Sequence, residues 1–501
     1  MDDFSHLKKG FLERPYYAAR MQIKHTEITA TWRIAGIGMH VAFALLAGLA
    51  GWFWPERTLI LDAAFQSYLF VASGQPAIMV ERFGAVGVQL LPLAAVHLGA
   101  PLAAVLFLYS ISIVLWHWLL YTICWHGLRD RRAATSIFLF VILLSGDCFY
   151  WMQNELLQGI SLSLVLWSLW ARWAATRQPL RWSFANVLRG LGSVLLATTV
   201  VYFHPLMVFP LGFVWCFWWL HADQALRRPW LLGIAVLFTG LFASKYLLRT
   251  PNFYDRGMTG QYVREFHFSL DRLLHSRGLR DFWAHCDDSL LLFWPLLAGV
   301  VGFYLWQKRW LLTTLVVGAT SIYLLLILQR YLDDDRWYIA ESHYQALAVF
   351  LVLPLVWDIF PQLRARAVWW PVIAGLIMFR LVSIYQNHYP YTARLAYVRT
   401  LLEATRGRDG RKFYLPPAVV QRQTLLMNWG LPFETLQISA LESPDSVRVL
   451  VVADETTPVA ALPRDSMVSF LQLPRRAFHD LPAPYYRLRS TLPYQLLLLH
   501  R

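Results

Sequence analysis

Charge is what this sequence has least of. Of 501 residues only 15% are Asp, Glu, Lys or Arg, against 57% hydrophobic and 16% aromatic, with 24 Trp. That balance lies far from the soluble average, and repeated apolar runs of about 18 or more residues indicate transmembrane helices. Acids are scarcer still, 31 against 45 Lys and Arg, for a net charge of +14. In a soluble protein such an excess would suggest nucleic acid. Here the Lys and Arg gather in short loops on one side, a membrane-topology pattern, so nucleic acid is excluded as a partner. Cysteine is equally sparse: Cys124, Cys148, Cys216 and Cys286 show no CxxC spacing. Three of them lie in or beside apolar runs, as packing residues do, and no disulfide framework or zinc site is implied. No internal repeat is present.

The polar segment 1–33 carries Lys8, Lys9, Arg14, Arg20, Lys24 and Arg33 against few acids, and no small-residue cleavage site follows it. Such a segment resists translocation, so the N-terminus is expected to be cytoplasmic and the first span, 34–54, to run outward. The next apolar run, 83–125, is too long for one crossing of a ~30 Å core at ~1.5 Å per residue. Two full spans broken at Gly99-Ala100-Pro101 would deliver Arg129, Arg131 and Arg132 outside, against the positive-inside tendency. An interfacial or re-entrant helix at 83–98 and one span at 101–125 satisfy it. The remaining runs then alternate at 133–146, 156–171, 190–203, 206–221, 230–247, 289–306, 310–329, 345–360 and 369–386. The expected fold is an all-α polytopic membrane protein of about 11 transmembrane helices over 34–386, with a C-terminus outside.

With that parity, Asp62, Glu81, Arg82, Asp147, Glu155 and His204 fall in exterior loops, the first of which is 55–100. So do a long Arg-, His- and Asp-rich loop at 249–288 and the run Asp333-Asp334-Asp335. Ionisable groups near span ends mark a pathway or a site when they are not merely solvated. Asp62 stands a few residues beyond the first span at the head of a short helical segment, where a membrane enzyme would keep a base; the plain alternative is a helix cap. Three clustered carboxylates at 333–335 would suit a hard cation, although three consecutive Asp cannot all point one way, and a solvated turn explains them as well. Glu81 beside Arg82 reads as a surface ion pair.

Past Asn387 the long apolar runs stop, and 387–501 reads as a small α/β unit outside the membrane. Helices are expected over 392–405 and 419–429, with strands at 412–415, 447–453, 467–473 and 494–499. No GxGxxG, Walker or zinc spacing appears there, so this unit is expected to shape or regulate an exterior cleft.

This layout resembles the C-type (GT-C) fold of integral-membrane glycosyltransferases that use polyprenyl-phosphate sugars. The shared features are a cytoplasmic N-terminus, one span, and a large first exterior loop with an acid just beyond that span. Two juxtamembrane helices, at 63–72 and 83–98, many further spans and a terminal soluble domain complete it. A paired Asp-x-Asp in the first loop is missing. The resemblance implies that Asp62 is the base and that Asp147 or Glu155 is the second-loop acid, with Glu81, Arg82 and His204 as further donor or acceptor-site candidates. Such transfer needs a carboxylate to take the acceptor proton, and positive charge where the lipid phosphate leaves, from Arg, Lys or a divalent cation such as Mg or Mn. Lys245, Arg249, Arg330, Arg336 and Arg380 are the candidates for that phosphate, and no metal ligands are assigned. Arg380 lies inside the last span, where an Arg needs a partner or snorkels to the interface. The implied partners are the bilayer, a polyprenyl-phosphate sugar and a glycan, lipid or protein acceptor; the implied location is a bacterial inner (plasma) membrane. A polysaccharide ligase or polymerase relying on 249–288, and a transporter or flippase of lipid-linked glycans, remain the competing classes.

Overall fold

The computed structural model describes residues 32–501 apart from 144–145, 153, 176–182, 222–227, 249–253, 255, 258–268, 288–289, 333–342, 364–368, 426, 454–457, 469–474, 489, 491 and 499–501. The chain falls into two compact units, Met1–Gly48 and Leu49–Arg501. Of the first, the described part is helix α1 (Trp32–Trp52), which runs past the boundary.

In the second unit, α2 (Trp54–Thr58) and α3 (Leu61–Ser73) come first, and Gly74 closes α3 with φ +65°, a conformation that glycine adopts without strain. A 3₁₀ turn, Phe83–Gln89, leads into α4 (Leu90–His97). The break expected at Gly99-Ala100-Pro101 is present: Gly99 takes φ +70° and α5 (Leu102–Thr122) starts after Pro101, which cannot extend a helix backward. The further helices are α6 (Arg131–Leu143), α7 (Glu155–Ala175), α8 (Phe184–Val201), α9 (Val208–Leu220) and α10 (Arg228–Ala243). After them come α11 (Leu270–Leu274), α12 (Arg277–Asp287), α13 (Phe293–Trp306) and α14 (Trp310–Arg330). The series ends with α15 (Leu347–Pro354, prolonged to Leu363) and α16 (Trp369–Gln386).

Among the described residues five helices are long and apolar enough to cross a membrane: Trp32–Trp52, Leu102–Gly127, Phe184–Val201, Arg228–Leu247 and Trp310–Arg330. The chain is a membrane protein built mainly of helices. Others are apolar but shorter. Helix α6 has 13 residues, about 20 Å at the α-helical rise, and Ala133–Leu143 are buried without a break. A helix that is apolar all round belongs in the middle of a bundle, and α6 packs against α5, α7, α15 and α16.

The C-terminal region begins with α17 (Tyr389–Glu403) and holds a three-stranded parallel sheet in the order β2-β1-β3: β1 (Lys412–Leu415), β2 (Val449–Val452) and β3 (Gln495–Leu496). Lys412 registers with Val449, and Phe413 with Gln495. Parallel neighbours need a crossover, and α18 (Leu431–Ala440) supplies it between β1 and β2. Of the helix expected at 419–429, Arg422–Leu425 is helical, after a 3₁₀ turn at Pro417–Val419, and a separate helix with Pro432 in its first turn follows. Of the strand expected at 467–473, residues 469–473 lie outside the described residues; next to it Ser466 forms an isolated antiparallel bridge with Ala477. One apolar core runs from α3, α4 and α5 into this region, with Phe65 and Phe433 rings 4.6 Å apart.

Candidate functional site

Asp62 occupies the first turn of α3. The position before that helix is Ile60, extended and without a side-chain cap, so Asp62 is not the cap that the plain alternative required. The amide of Leu61 donates instead to Glu434 Oε1 at 2.8 Å, from α18 in the C-terminal region. Leu61 itself has φ +47°, a left-handed conformation that costs a non-glycine residue energy and turns the chain sharply into Asp62. The Asp62 carboxyl lies in a narrow recess lined by Ile60, Tyr150, Trp151, Met152 and Tyr391. Among the described residues none donates a hydrogen bond to it. One face stays open, but the surrounding atoms displace most of its water. Burial first, and the like charge of Glu155 second, push its pKa up to about 7, against the opposing pull of Arg82.

Glu155 begins α7. Asn154 Oδ1 accepts the Leu157 amide at 3.0 Å and so fixes the helix start, which leaves Glu155 in the favourable first turn. Arg82 Nη1 donates to Glu155 Oε2 at 3.1 Å, so Arg82 pairs with a carboxylate 73 residues away in the chain. Val80 and Glu81, with φ +44° and +62°, make the turn that brings Arg82 in. Two successive left-handed non-glycine residues, one of them β-branched, are a strained arrangement of the kind that collects at sites. Gly84 and Gly159 both press on Phe203: a Cβ at Gly84 would stand 2.5 Å from its ring and one at Gly159 2.9 Å from its Cβ. These contacts lock the Arg82 turn and α7 against the turn at His204.

His204 Nδ1 accepts the Leu206 amide at 3.2 Å, which assigns the proton of a neutral ring to Nε2. Its ring is 5.5 Å from that of His343. Burial, then the positive charges of Arg82, His343 and Lys245, hold its pKa well below the usual imidazole range, so it is a neutral donor. Lys245 is buried on a π turn, Ser244–Leu248. Its Nζ donates to the Val201 carbonyl at 3.0 Å and lies 4.9 Å and 5.3 Å from the ring centres of Tyr202 and Tyr246. Tyr246 and Leu247 also line an open apolar groove of about 550 Å³ between α9 and α10, floored by Gly212, Trp215 and Phe238.

The structure thus gathers Asp62, Arg82, Glu155, His204 and Lys245, all named from sequence, into one electrostatic neighbourhood. Arg330, at the end of α14, lies over the Tyr331 ring at 5.5 Å. Arg380 is fully buried and donates to the Ile142 carbonyl in the last turn of α6 and to Ser383 Oγ, both at 3.2 Å. It does not snorkel. Asp147 lies in the 3₁₀ turn Asp147–Phe149, and its side chain falls outside the described residues, as do Arg249, Arg336 and the Asp333–Asp335 run. Among the described residues no group of three or more His, Cys, Asp or Glu is arranged to hold a metal.

Sequence reasoning missed Arg57, buried beneath the site, where its guanidinium donates to Ser110 Oγ at 2.9 Å and lies 4.0 Å over the Phe149 ring. It also missed Tyr109, which donates to Gln66 Oε1, and Glu434. The signal for Glu434 was a lone carboxylate within an apolar Leu-Pro-Phe-Glu-Thr-Leu helix start. Comparisons with protein-family models, curated proteins and solved structures give no match to this chain.

Proposed function

We propose that this protein is a membrane glycosyltransferase that moves a sugar from a polyprenyl-phosphate donor to an acceptor hydroxyl, with Asp62 as the base. The observation that carries this reading is the Asp62 carboxyl: partly desolvated, without a hydrogen-bond donor among the described residues and with a pKa near 7, under the opposing charges of Glu155 and Arg82. A catalytic base works best when its pKa lies near the operating pH. Asp62 takes the acceptor proton as the acceptor oxygen attacks the anomeric carbon. The carbon–oxygen bond to the phosphate breaks with inversion, and the phosphate leaves with the electron pair. Lys245 and Arg82 supply positive charge for it, and neutral His204 can donate from Nε2. The groove between α9 and α10, within the ordinary size range of ligand sites, suits the isoprenoid chain, because Lys245 stands over Tyr246 at its wall.

Arg380 is assigned to the bundle, since it holds the end of α6. Eleven crossings, a cytoplasmic N-terminus, an exterior C-terminal region and a bacterial inner membrane complete the reading. The test is transfer of radiolabelled sugar by the purified protein from a panel of polyprenyl-phosphate donors; absence of transfer from every carrier, with lipid-linked glycan still moved across vesicles, would favour a transporter. Orientation is checked in intact cells with an impermeant thiol reagent: Asn428→Cys is expected to label and Gln178→Cys to stay silent.

A further inference from the structure

We infer that Glu434 is a positioning residue for Asp62, and that the C-terminal region exists in this chain to aim the juxtamembrane helix that carries the base. This rests on Asp62 being that base. Glu434 is fully buried and holds two partners at once. Arg394 grips it through both oxygens, Nη2 to Oε1 at 2.7 Å and Nε to Oε2 at 3.2 Å, and ties itself to the Met427 carbonyl at 2.9 Å. Oε1 also accepts the Leu61 amide. One turn along α18, Gln437 Oε1 accepts the Ser67 hydroxyl at 3.0 Å while Gln437 Nε2 donates to the Ala64 carbonyl at 2.5 Å. Residues three apart share a helix face, so Glu434 and Gln437 clasp the first two turns of α3 along one line.

Two further features show that the clasp acts on backbone direction. Leu61, the residue directly before Asp62, is held left-handed at φ +47°, a conformation that persists only where surroundings impose it. Gly430 makes the approach possible: a Cβ there would stand 2.9 Å from both the Leu61 Cα and Glu434 Oε1. A helix cap is ordinarily local, a Ser, Thr, Asp or Asn at the preceding position. Here that position is apolar Ile60, and the acceptor comes from 373 residues away in the chain. The direction of the first turn of α3 therefore depends on where α18 sits.

The experiment separates the amide bond from the ion pair. In the full chain carrying Arg394→Met, Glu434→Gln keeps an acceptor for the Leu61 amide, whereas Glu434→Leu removes it; neither retains the pair. Gly430→Ala, in the parent, pushes on Leu61 without deleting either partner. Two readouts are taken: kcat and KM for sugar transfer, and carbodiimide labelling of Asp62 by mass spectrometry across pH. Labelling requires no turnover, so it decides the positioning role even if the transferase reading fails. Glu434→Leu and Gly430→Ala are expected to lower kcat about 10²-fold, the scale of a 1 Å misplacement, with KM little changed. Both should move the labelling midpoint of Asp62 down from about 7 as its carboxyl swings toward water, while the Gln variant keeps both values near its Arg394→Met parent. Equal losses in the Gln and Leu variants, or a midpoint unmoved in Gly430→Ala, would overturn the positioning role; should the Leu variant fail to fold, Gly430→Ala alone decides.

Discussion

Arg82 Nη1 and Glu155 Oε2 meet at 3.1 Å, joining the turn that follows α3 to the first residue of α7. The two charges act on Asp62 in opposite directions: Glu155 raises its pKa and Arg82 lowers it. Glu155→Gln is therefore expected to shift the Asp62 titration to lower pH, and Arg82→Gln to higher. Carbodiimide labelling across pH reads both. A midpoint indifferent to either substitution would show that the pair does not face Asp62.

The raised pKa has a consequence for stability. Between the ordinary carboxyl value of 3.8 and about 7, folded Asp62 holds a proton that the unfolded chain has lost. The contribution of this group is present at low pH and is lost as pH rises toward 7. Asp62→Asn, neutral at every pH, should then raise Tm relative to the parent at pH 8 and leave it nearly unchanged at pH 4. An equal Tm difference at both pH values would contradict the shift.

The groove offers a substitution at a glycine of its lining. A Cβ on Gly212 meets nothing within 4 Å, so the backbone there admits a side chain, and Gly212→Leu adds bulk to the lining of the groove. It should raise KM for a long-chain polyprenyl donor about tenfold or more, the effect of ~1.5 kcal/mol of lost apolar contact, and spare a short-chain analogue. Equal effects on both donors would move the lipid chain elsewhere.

Arg380→Gln should destabilise the protein by ~1 to 3 kcal/mol through the lost charged hydrogen bond to Ile142, with donor affinity unchanged. Thermal unfolding in detergent and donor binding are the two readouts. Weakened donor binding at constant Tm would return Arg380 to the phosphate.

Much of this layout was legible from residue order. The break at Gly99-Ala100-Pro101, a helix within the expected run 133–146, and strand 412–415 follow from local rules: glycine and proline punctuate, and apolar runs have lengths. Asp62, Glu155, Arg82, His204 and Lys245 were each legible as charges or polar groups at helix ends, because ionisable residues in an apolar chain are few. Their pairing was not. Arg82 was matched with adjacent Glu81, since sequence shows neighbours in the chain and not the fold that brings Glu155 to it. Arg380 read as a candidate for the lipid phosphate, with a snorkelling side chain as the alternative, because nothing local reveals that α6 ends against it. Glu434 was invisible as a cap for α3, because its partner is a backbone amide that any residue would carry.

The most direct measurement is sugar transfer by Asp62→Asn alongside the parent, with donor binding measured on the same preparations. Asn keeps the size and polarity of the side chain but cannot accept the proton. Turnover should fall by ~10² to 10⁴-fold, the usual contribution of a general base, while donor affinity holds. Full activity in Asp62→Asn would contradict the assignment of Asp62 as the base.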